Sequence, residues 1–170
     1  STVIMKNNLI VGCALGVGVK DAASRVTLDQ NTFVDCDIGV DVYEKNFGVG
    51  GGSAFVTNTL FSKSSIVPVQ VDALSQLVVS YSLSDTVAII APGSNNLLKA
   101  PLFVAPSLLD FSLQTTSPAL DSGDPVHEHQ FVQPDRIGAP HRFGDKEFHL
   151  VGGIRQPAGP TGHRSGDGHD

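Results

Sequence analysis

VTLDQNTFVDCDIGVDVY, residues 26–43, decides how this chain is read, because it nearly repeats VIMKNNLIVGCALGVGVK, residues 3–20. Sliding one copy by 23 residues brings Asn8 onto Asn31, Cys13 onto Cys36, Leu15 onto Ile38, Gly16 onto Gly39, Val17 onto Val40 and Val19 onto Val42. A third copy, AFVTNTLFSKSSIVPVQVD, follows a small insertion, with Asn58 in the Asn place, Leu60 at Phe33, and Val67 and Val69 at Val40 and Val42. A fourth, LVVSYSLSD, puts Tyr81 where the Asn stood and Leu83 where Phe33 stood. A fixed period of this size is the mark of a solenoid.

The pattern inside each copy says which kind. Val26, Leu28 and Phe33 are apolar beside polar Thr27, Asp29 and Gln30, and Ile38, Val40 and Val42 alternate with Gly39, Asp41 and Tyr43. That is period two, the signature of strands with one buried face. Each copy therefore holds two or three short strands separated by bends. Stacking the copies pairs every strand in parallel with its counterpart, about 4.8 Å away. The expected interior columns are Leu15/Ile38, Val17/Val40/Val67 and Val19/Val42/Val69. At a bend, an Asn tolerates the left-handed conformation and bonds nearby backbone, and stacked Asn side chains bond one another. Asn8, Asn31 and Asn58 are thus expected to form an internal ladder ended by Tyr81.

Composition agrees with a strand-rich domain. The chain has 170 residues, 41% of them hydrophobic, which suits a single core. Only 16% are charged, Gly numbers 18 and Pro 10, and Trp is absent. A net charge of −6 argues against nucleic acid or an anionic membrane as the main partner, since phosphate binding needs clustered Lys and Arg. The sequence lacks a spanning apolar run. It opens at Ser1 directly in strand-like sequence, without an initiator Met; the simplest reading is a processed or excised piece of a longer chain.

From Val3 to about Asp85 the repeats resemble the right-handed parallel β-helix of the pectate-lyase-like superfamily. The stretch NNLLKAPLFVAPSLLDFSLQTTSPALDSGDP, from Asn95, is similar to the terminal coil of many bacterial β-helix surface proteins, and Asp135, Gly138 and Arg142 in DRIGAPHRFG fit the segment that usually follows. GVGVKDAAS, VYEKNFGVGGGSA and VSYSLSDT also resemble β-helix regions of large secreted proteins that carry spore-coat-kinase-like and lamin-tail domains. The resemblance implies an all-β fold: a right-handed parallel β-helix of about four coils with an irregular C-terminal coil and an extended tail. It implies an extracellular or cell-surface location. It says less about activity, because this fold carries lyases, hydrolases, epimerases, adhesins and inert stalks.

Three regions are expected. Residues 1–125 are the β-helix with its terminal coil, 126–154 an extension, and 155–170 a flexible or partner-bound tail of Gly- and Pro-rich composition. Within the first, EKNFGVGGG at 44–52 reads as a corner insertion, and D-A-A-S at 21–24 matches D-A-L-S at 72–75 as a bend. Two short strands are expected around Leu102-Phe103 and Phe111-Leu113.

The candidate site is the outward face of the best-defined strand stack. Its expected rows are Gly16/Gly39/Ile66, Gly18/Asp41/Pro68 and Lys20/Tyr43/Gln70, with Glu44 and Lys45 just beyond. A calcium-assisted lyase needs several carboxylates and a base, and a hydrolase needs two carboxylates at a fixed gap. This face offers one, so no catalytic residue is assigned. Lys20, Asp41, Tyr43, Glu44 and Lys45 are the candidates for binding a sugar chain by stacking and hydrogen bonds. Asp29, Asp35, Asp37 and Asp41 make one acidic coil, but the coil before it offers only Gly12 and Ala14 at the matching places, so no metal is assigned. His127-Glu128-His129 has i, i+2 spacing but lacks a third ligand with a defined relation to it. No cofactor is expected. Cys13 and Cys36 would stack in neighbouring copies about 4.8 Å apart, at the short end of what a disulfide accepts; two thiols packed as small apolar groups is the preferred reading and a bridge is the alternative. The expected function is a non-catalytic stalk, cap or interaction module whose partners are other subunits or upstream coils; the alternative is a domain that binds or modifies an acidic polysaccharide.

Overall fold

The structure is a computed structural model that describes residues 1–125. The expected extension and tail, with His127-Glu128-His129, Asp135, Gly138 and Arg142, lie outside the described residues.

The chain makes successive passes through three parallel sheets. The first pass is β1 (Thr2–Lys6), β2 (Leu9–Val11) and β3 (Leu15–Lys20). The second is β4 (Arg25–Asp29), β5 (Thr32–Val34) and β6 (Ile38–Tyr43), and the third is β7 (Ser53–Thr57), β8 (Leu60–Ser62) and β9 (Val67–Val71). β10 (Gln76–Ser80), β11 (Leu83–Ser84) and β12 (Leu97–Leu98) follow. The sheet orders are β1-β4-β7-β10, β2-β5-β8-β11-β12 and β3-β6-β9. β13 (Phe103–Ala105) and β14 (Asp110–Leu113) form a separate antiparallel pair.

The 23-residue repeat survives intact between the first two passes: Val3 pairs with Val26, Ile10 with Phe33, Val17 with Val40 and Val19 with Val42. The third pass sits further along than its sequence suggests. Thr32 pairs with Leu60 and Phe33 with Phe61, so Asn31 lies opposite Thr59 rather than Asn58, and Leu60 is not the partner of Phe33. Val40 then pairs with Val69 and Val42 with Val71, which replaces the expected Val67 and Val69. The cause is the length of the bends. The insertion at 44–52 lengthens the spacing, and the bend between β8 and β9 holds one residue more than that between β5 and β6. Short apolar runs of alternating Val match at either offset, so sequence similarity alone could not detect the slip.

This shift divides the Asn expectation into two adjacent roles. Asn7, Gln30, Asn58, Tyr81 and Asn95 occupy the left-handed bend, with φ of 57°, 56°, 50°, 50° and 60°. The stacked side chains belong to the next residue in each pass: Asn8, Asn31, Thr59, Ser82 and Asn96. Asn8 donates to Asn31 Oδ1 from both its backbone N (3.0 Å) and Nδ2 (2.9 Å). Thr59 N donates to Ser82 Oγ at 3.2 Å and Ser82 N to Asn96 Oδ1 at 3.1 Å. Asn58 is therefore not a rung. Its Nδ2 donates to Asp29 Oδ1 at 2.9 Å, and its Oδ1 accepts from Asp124 N at 2.7 Å.

The interior holds Val26, Leu28, Phe33, Val40, Val42, Ala54, Val56, Phe61, Val69, Leu77 and Val79. Phe33 and Phe61 stack, with centroids 5.1 Å apart and ring planes at 13°. Gly39 makes room for this stack: a Cβ there would lie 2.6 Å from the Phe61 ring and 2.5 Å from the Pro68 carbonyl oxygen. Gly16 meets Phe33 and the Gly39 carbonyl in the same way. Both were placed on the outward face from strict alternation. Their positions belong instead to the corner through which the Phe rings pass.

The second sheet is buried on both sides. Val34, Leu60 and Leu83 form a second apolar cluster with Phe103, Phe111, Leu113 and Ala119, so the β13–β14 pair covers the sheet's outer face. The two ends of the stack differ. Residues 87–98 cover part of the far end: Ile89 and Ala91 pack on the core, and the carbonyls of Pro92 and Ser94 accept from Val79 N and Tyr81 N, while β9 stays the edge of the third sheet. At the near end β1, β2 and β3 are all edge strands, and Ile4 is 66% and Leu9 45% exposed.

Candidate functional site

The outward face of the third sheet takes its shape from the corrected register. Gly18 pairs with Asp41 and Asp41 with Gln70; Lys20 pairs with Tyr43, and Asp72 N donates to Val42 O just beyond. Asp72 and Gln70 thus join a face from which the sequence reading had left Asp72 out. The signal was present in the matching D-A-A-S and D-A-L-S bends. Counting back from Asp72 places the third pass within one residue of its true register, closer than the Asn alignment does.

Tyr43 leans over Gly18, where a Cβ would lie 3.8 Å from its Cε1 and Oη. Its ring covers the glycine and leaves the hydroxyl at the surface beside exposed Lys20. Asp41 is half-buried, and among the described residues its Oδ1 is buried without a hydrogen-bond partner. Burial, and next the charge of Asp72, raise its pKa, while a hydrogen bond from the Gln70 side chain opposes them. A carboxylate raised in the folded state weakens folding above that pKa and ceases to do so as pH falls through it. Asp41→Asn is therefore expected to stabilise the protein at neutral pH by about 0.5 kcal/mol, in the range of single surface charge effects. Urea midpoints at pH 7 and pH 3.5 check this; a variant less stable than wild type at pH 7 contradicts it.

The other carboxylates hold the loop between β6 and β7. Asp72 Oδ2 accepts from Glu44 N at 2.6 Å and Oδ1 from Leu74 N at 3.0 Å. Asp21 Oδ1 accepts from Lys45 N at 2.8 Å and Asn46 N at 2.9 Å, and its Oδ2 accepts from the Asn46 amide. Glu44 itself turns inward and accepts from Gly50 N at 2.6 Å. Gly51 follows with no room for a side chain, since a Cβ would meet the Leu74 carbonyl carbon at 2.6 Å. Of the five candidate sugar-binding residues, Lys20, Asp41 and Tyr43 share one face. Glu44 is committed to the loop, and Lys45 rides on it, exposed, beside fully exposed Phe47.

The backbone N–H of Asn46 and that of Glu44 are the leading causes that hold Asp21 and Asp72, respectively, below the ordinary carboxylate value of 3.8. A depressed carboxylate contributes stability that is present above 3.8 and is lost as pH falls through the folded pKa. The loop is expected to loosen only in that acid window. Asp21→Asn should mimic this at neutral pH, with the Lys45 and Asn46 amides exchanging faster. Unchanged exchange at both would refute the latch.

Asp29, Asp35, Asp37 and Asp41 do not converge. Asp29 is buried against Lys6 at 3.3 Å, Asp35 faces Lys63 at 3.9 Å, and Asp37 accepts from Ser65 Oγ. Among the described residues there is no grouping of three His, Cys, Asp or Glu able to hold a metal ion. Cys13 and Cys36 are free thiols, and burial pushes Cys36 up to about 12, which keeps it protonated at neutral pH. Among the described residues no helix is long and apolar enough to cross a membrane.

What the face offers chemically is an aromatic ring, an ammonium, an amide and two carboxylates, of which Asp72 is taken up by the backbone N–H groups of Glu44 and Leu74. Comparison with protein-family models, with curated proteins and with solved structures finds no match.

Proposed function

We propose that the chain is a right-handed parallel β-helix segment of a bacterial extracellular or cell-surface protein or assembly, and that it works without catalysis as a stalk, cap or interaction module. The observation that carries this reading is the inequality of the two ends. Among the described residues all three sheets end in an unpaired strand with half-exposed apolar side chains at one end, whereas at the other residues 92–98 pair with β10 and β11 and β9 remains an edge. An open strand edge pairs with another chain unless it is covered. Other protein subunits, or further coils of a longer chain, are the partners this surface suits. The use of Asp21, Asp72 and Glu44 to fasten backbone amides supports a structural role for the acidic face. The bacterial and surface assignments rest on the resemblance of the repeats and of the segment from Asn95.

A second reading, a domain that binds or modifies an acidic polysaccharide, is favoured by Tyr43 and Lys20 beside Asp41, whose pKa is raised. Sedimentation velocity of the full chain, with a uronan-cleavage assay on the same sample, separates the two. Concentration-dependent association without cleavage is expected. A monomer at all concentrations that degrades a uronan would overturn the structural reading.

A further inference from the structure

The corner between the second and third sheets is built like the Asn corner. Each of the first three passes turns there through a left-handed residue, Gly12, Asp35 and Lys63, with φ of 67°, 53° and 55°. The residues that follow are Cys13, Cys36 and Ser64. Thr32 N donates to Asn8 O at 2.8 Å in one corner, and Asp37 N to Cys13 O at 2.8 Å in the other. Asn31 Nδ2 donates to the carbonyls of Met5 and Asp29, and Cys36 Sγ reaches the equivalent carbonyls of Ile10 and Val34 at 3.9 and 3.7 Å. Cys13 and Cys36 are therefore rungs of a second ladder, packed against the core. Asn8 and Asn31 bond side chain to side chain, and the thiols of Cys13 and Cys36 likewise meet as side-chain hydrogen-bond partners.

We propose that Cys13 and Cys36 are a redox-responsive pair: free thiols when reduced and, in the presence of a disulfide oxidant, a bridge that staples the first pass to the second. Neighbouring passes lie about 4.8 Å apart, within the span of about 4.4–6.8 Å that Cα atoms across a disulfide occupy. Both cysteines sit in a bend rather than within a strand, so the pleat does not dictate the direction of their side chains. The pairing of Val11 with Val34 and of Leu15 with Ile38 brackets them and holds the register on either side. The contact lies wholly between the first and second passes and is independent of whatever precedes Ser1.

Glutathione disulfide serves as the oxidant. The Cys13 thiol gives up its proton to solvent, and its thiolate attacks one sulfur of the oxidant. A Cys13–glutathione bond forms, the S–S bond of the oxidant breaks, and the departing glutathione thiolate takes up a proton. The Cys36 sulfur then attacks the Cys13 sulfur, loses its own proton to solvent, and displaces the second glutathione, which leaves as thiolate and is protonated in turn. The protein loses two hydrogen atoms, and one glutathione disulfide becomes two glutathiones. The order follows from burial. Cys36, pushed up to about 12, is the poorer first nucleophile, so it resolves the bond that Cys13 has formed.

The test incubates the reduced full chain with glutathione disulfide in native, mildly alkaline buffer, then maps the thiols by alkylation and mass spectrometry. The expected product is a single chain lighter by two hydrogen atoms, with a cross-linked Cys13–Cys36 peptide and no alkylation at either position. Because the bridge closes a loop in the unfolded chain, its urea midpoint should exceed that of the reduced chain by about 1 M, and a thiol reductant should reverse the shift. Cys13→Ser and Cys36→Ser should each abolish both the bridge and the shift. Ser64 already fills the same rung in the third pass, so serine suits the corner. A Cys13–glutathione adduct that persists in the native chain would overturn the proposal. So would two thiols that stay open to alkylation, or a bridge found only between chains or only in urea. A bridge that leaves the midpoint unchanged or lowers it would overturn the stapling role. The inference goes beyond the stalk and polysaccharide readings and uses neither, so its failure leaves both as they stand.

Discussion

Replacing Phe61 by Ala is expected to cost about 4 kcal/mol of folding stability. Phe61 is fully buried, and its ring stacks on Phe33 at 5.1 Å. The void left behind cannot readily collapse. The Phe rings are carried by β5 and β8, whose separation is set by the backbone ladder at about 4.8 Å and not by the side chains between. Gly39 offers no compensation, since its site is defined by closeness to that ring. Urea denaturation should show the midpoint fall with the slope preserved. Phe61→Leu should recover more than half of the loss. A Phe61→Ala cost below about 1 kcal/mol would mean that the site is solvated or collapsible, contrary to the packing described.

Asn31→Ala is expected to cost about 3 kcal/mol, more than an ordinary polar-to-Ala change, because one side chain serves four groups. Its Oδ1 accepts from Asn8 N and Nδ2, and its Nδ2 donates to Met5 O at 3.0 Å and Asp29 O at 3.2 Å. Asn31 is fully buried, so water cannot take over these bonds without opening the bend. Asn31→Thr should lose less, since Thr59 and Ser82 perform the rung's accepting and donating roles elsewhere in the same ladder. Asn58→Ala provides the contrast. It removes the bonds to Asp29 and Asp124 but leaves the rungs intact. Equal losses at Asn31 and Asn58 would contradict the division of the Asn column into two roles.

The candidate site was only partly legible. Lys20, Asp41 and Tyr43 were found on one face because period-two alternation within β3 and β6 and the exact 23-residue repeat fix both direction and neighbour. Gln70 was set beside Tyr43 instead of Asp41, and Asp72 was left off the face, because the third pass was aligned on Asn58, which looks like Asn31 but fills the position of Gln30. The direction of Glu44 was not legible for another reason. Whether an acidic loop residue faces a ligand or returns to its own backbone depends on the loop's path, and Gly48 and Gly50 permit a path that brings Gly50 N to its carboxylate.

Sequence by itself determined that short strands with one buried face recur and lie parallel, and which residues of the first two passes face inward. It could do so because a side-chain period of two and a constant repeat length are properties of the chain alone. The register of the third pass, the separation of bend residue from rung residue, and the covering of the second sheet by β13 and β14 were decided only in three dimensions. Bend lengths vary without altering the apolar pattern, so the choice between neighbouring registers falls to hydrogen bonds and ring packing between passes, contacts that join residues more than twenty positions apart.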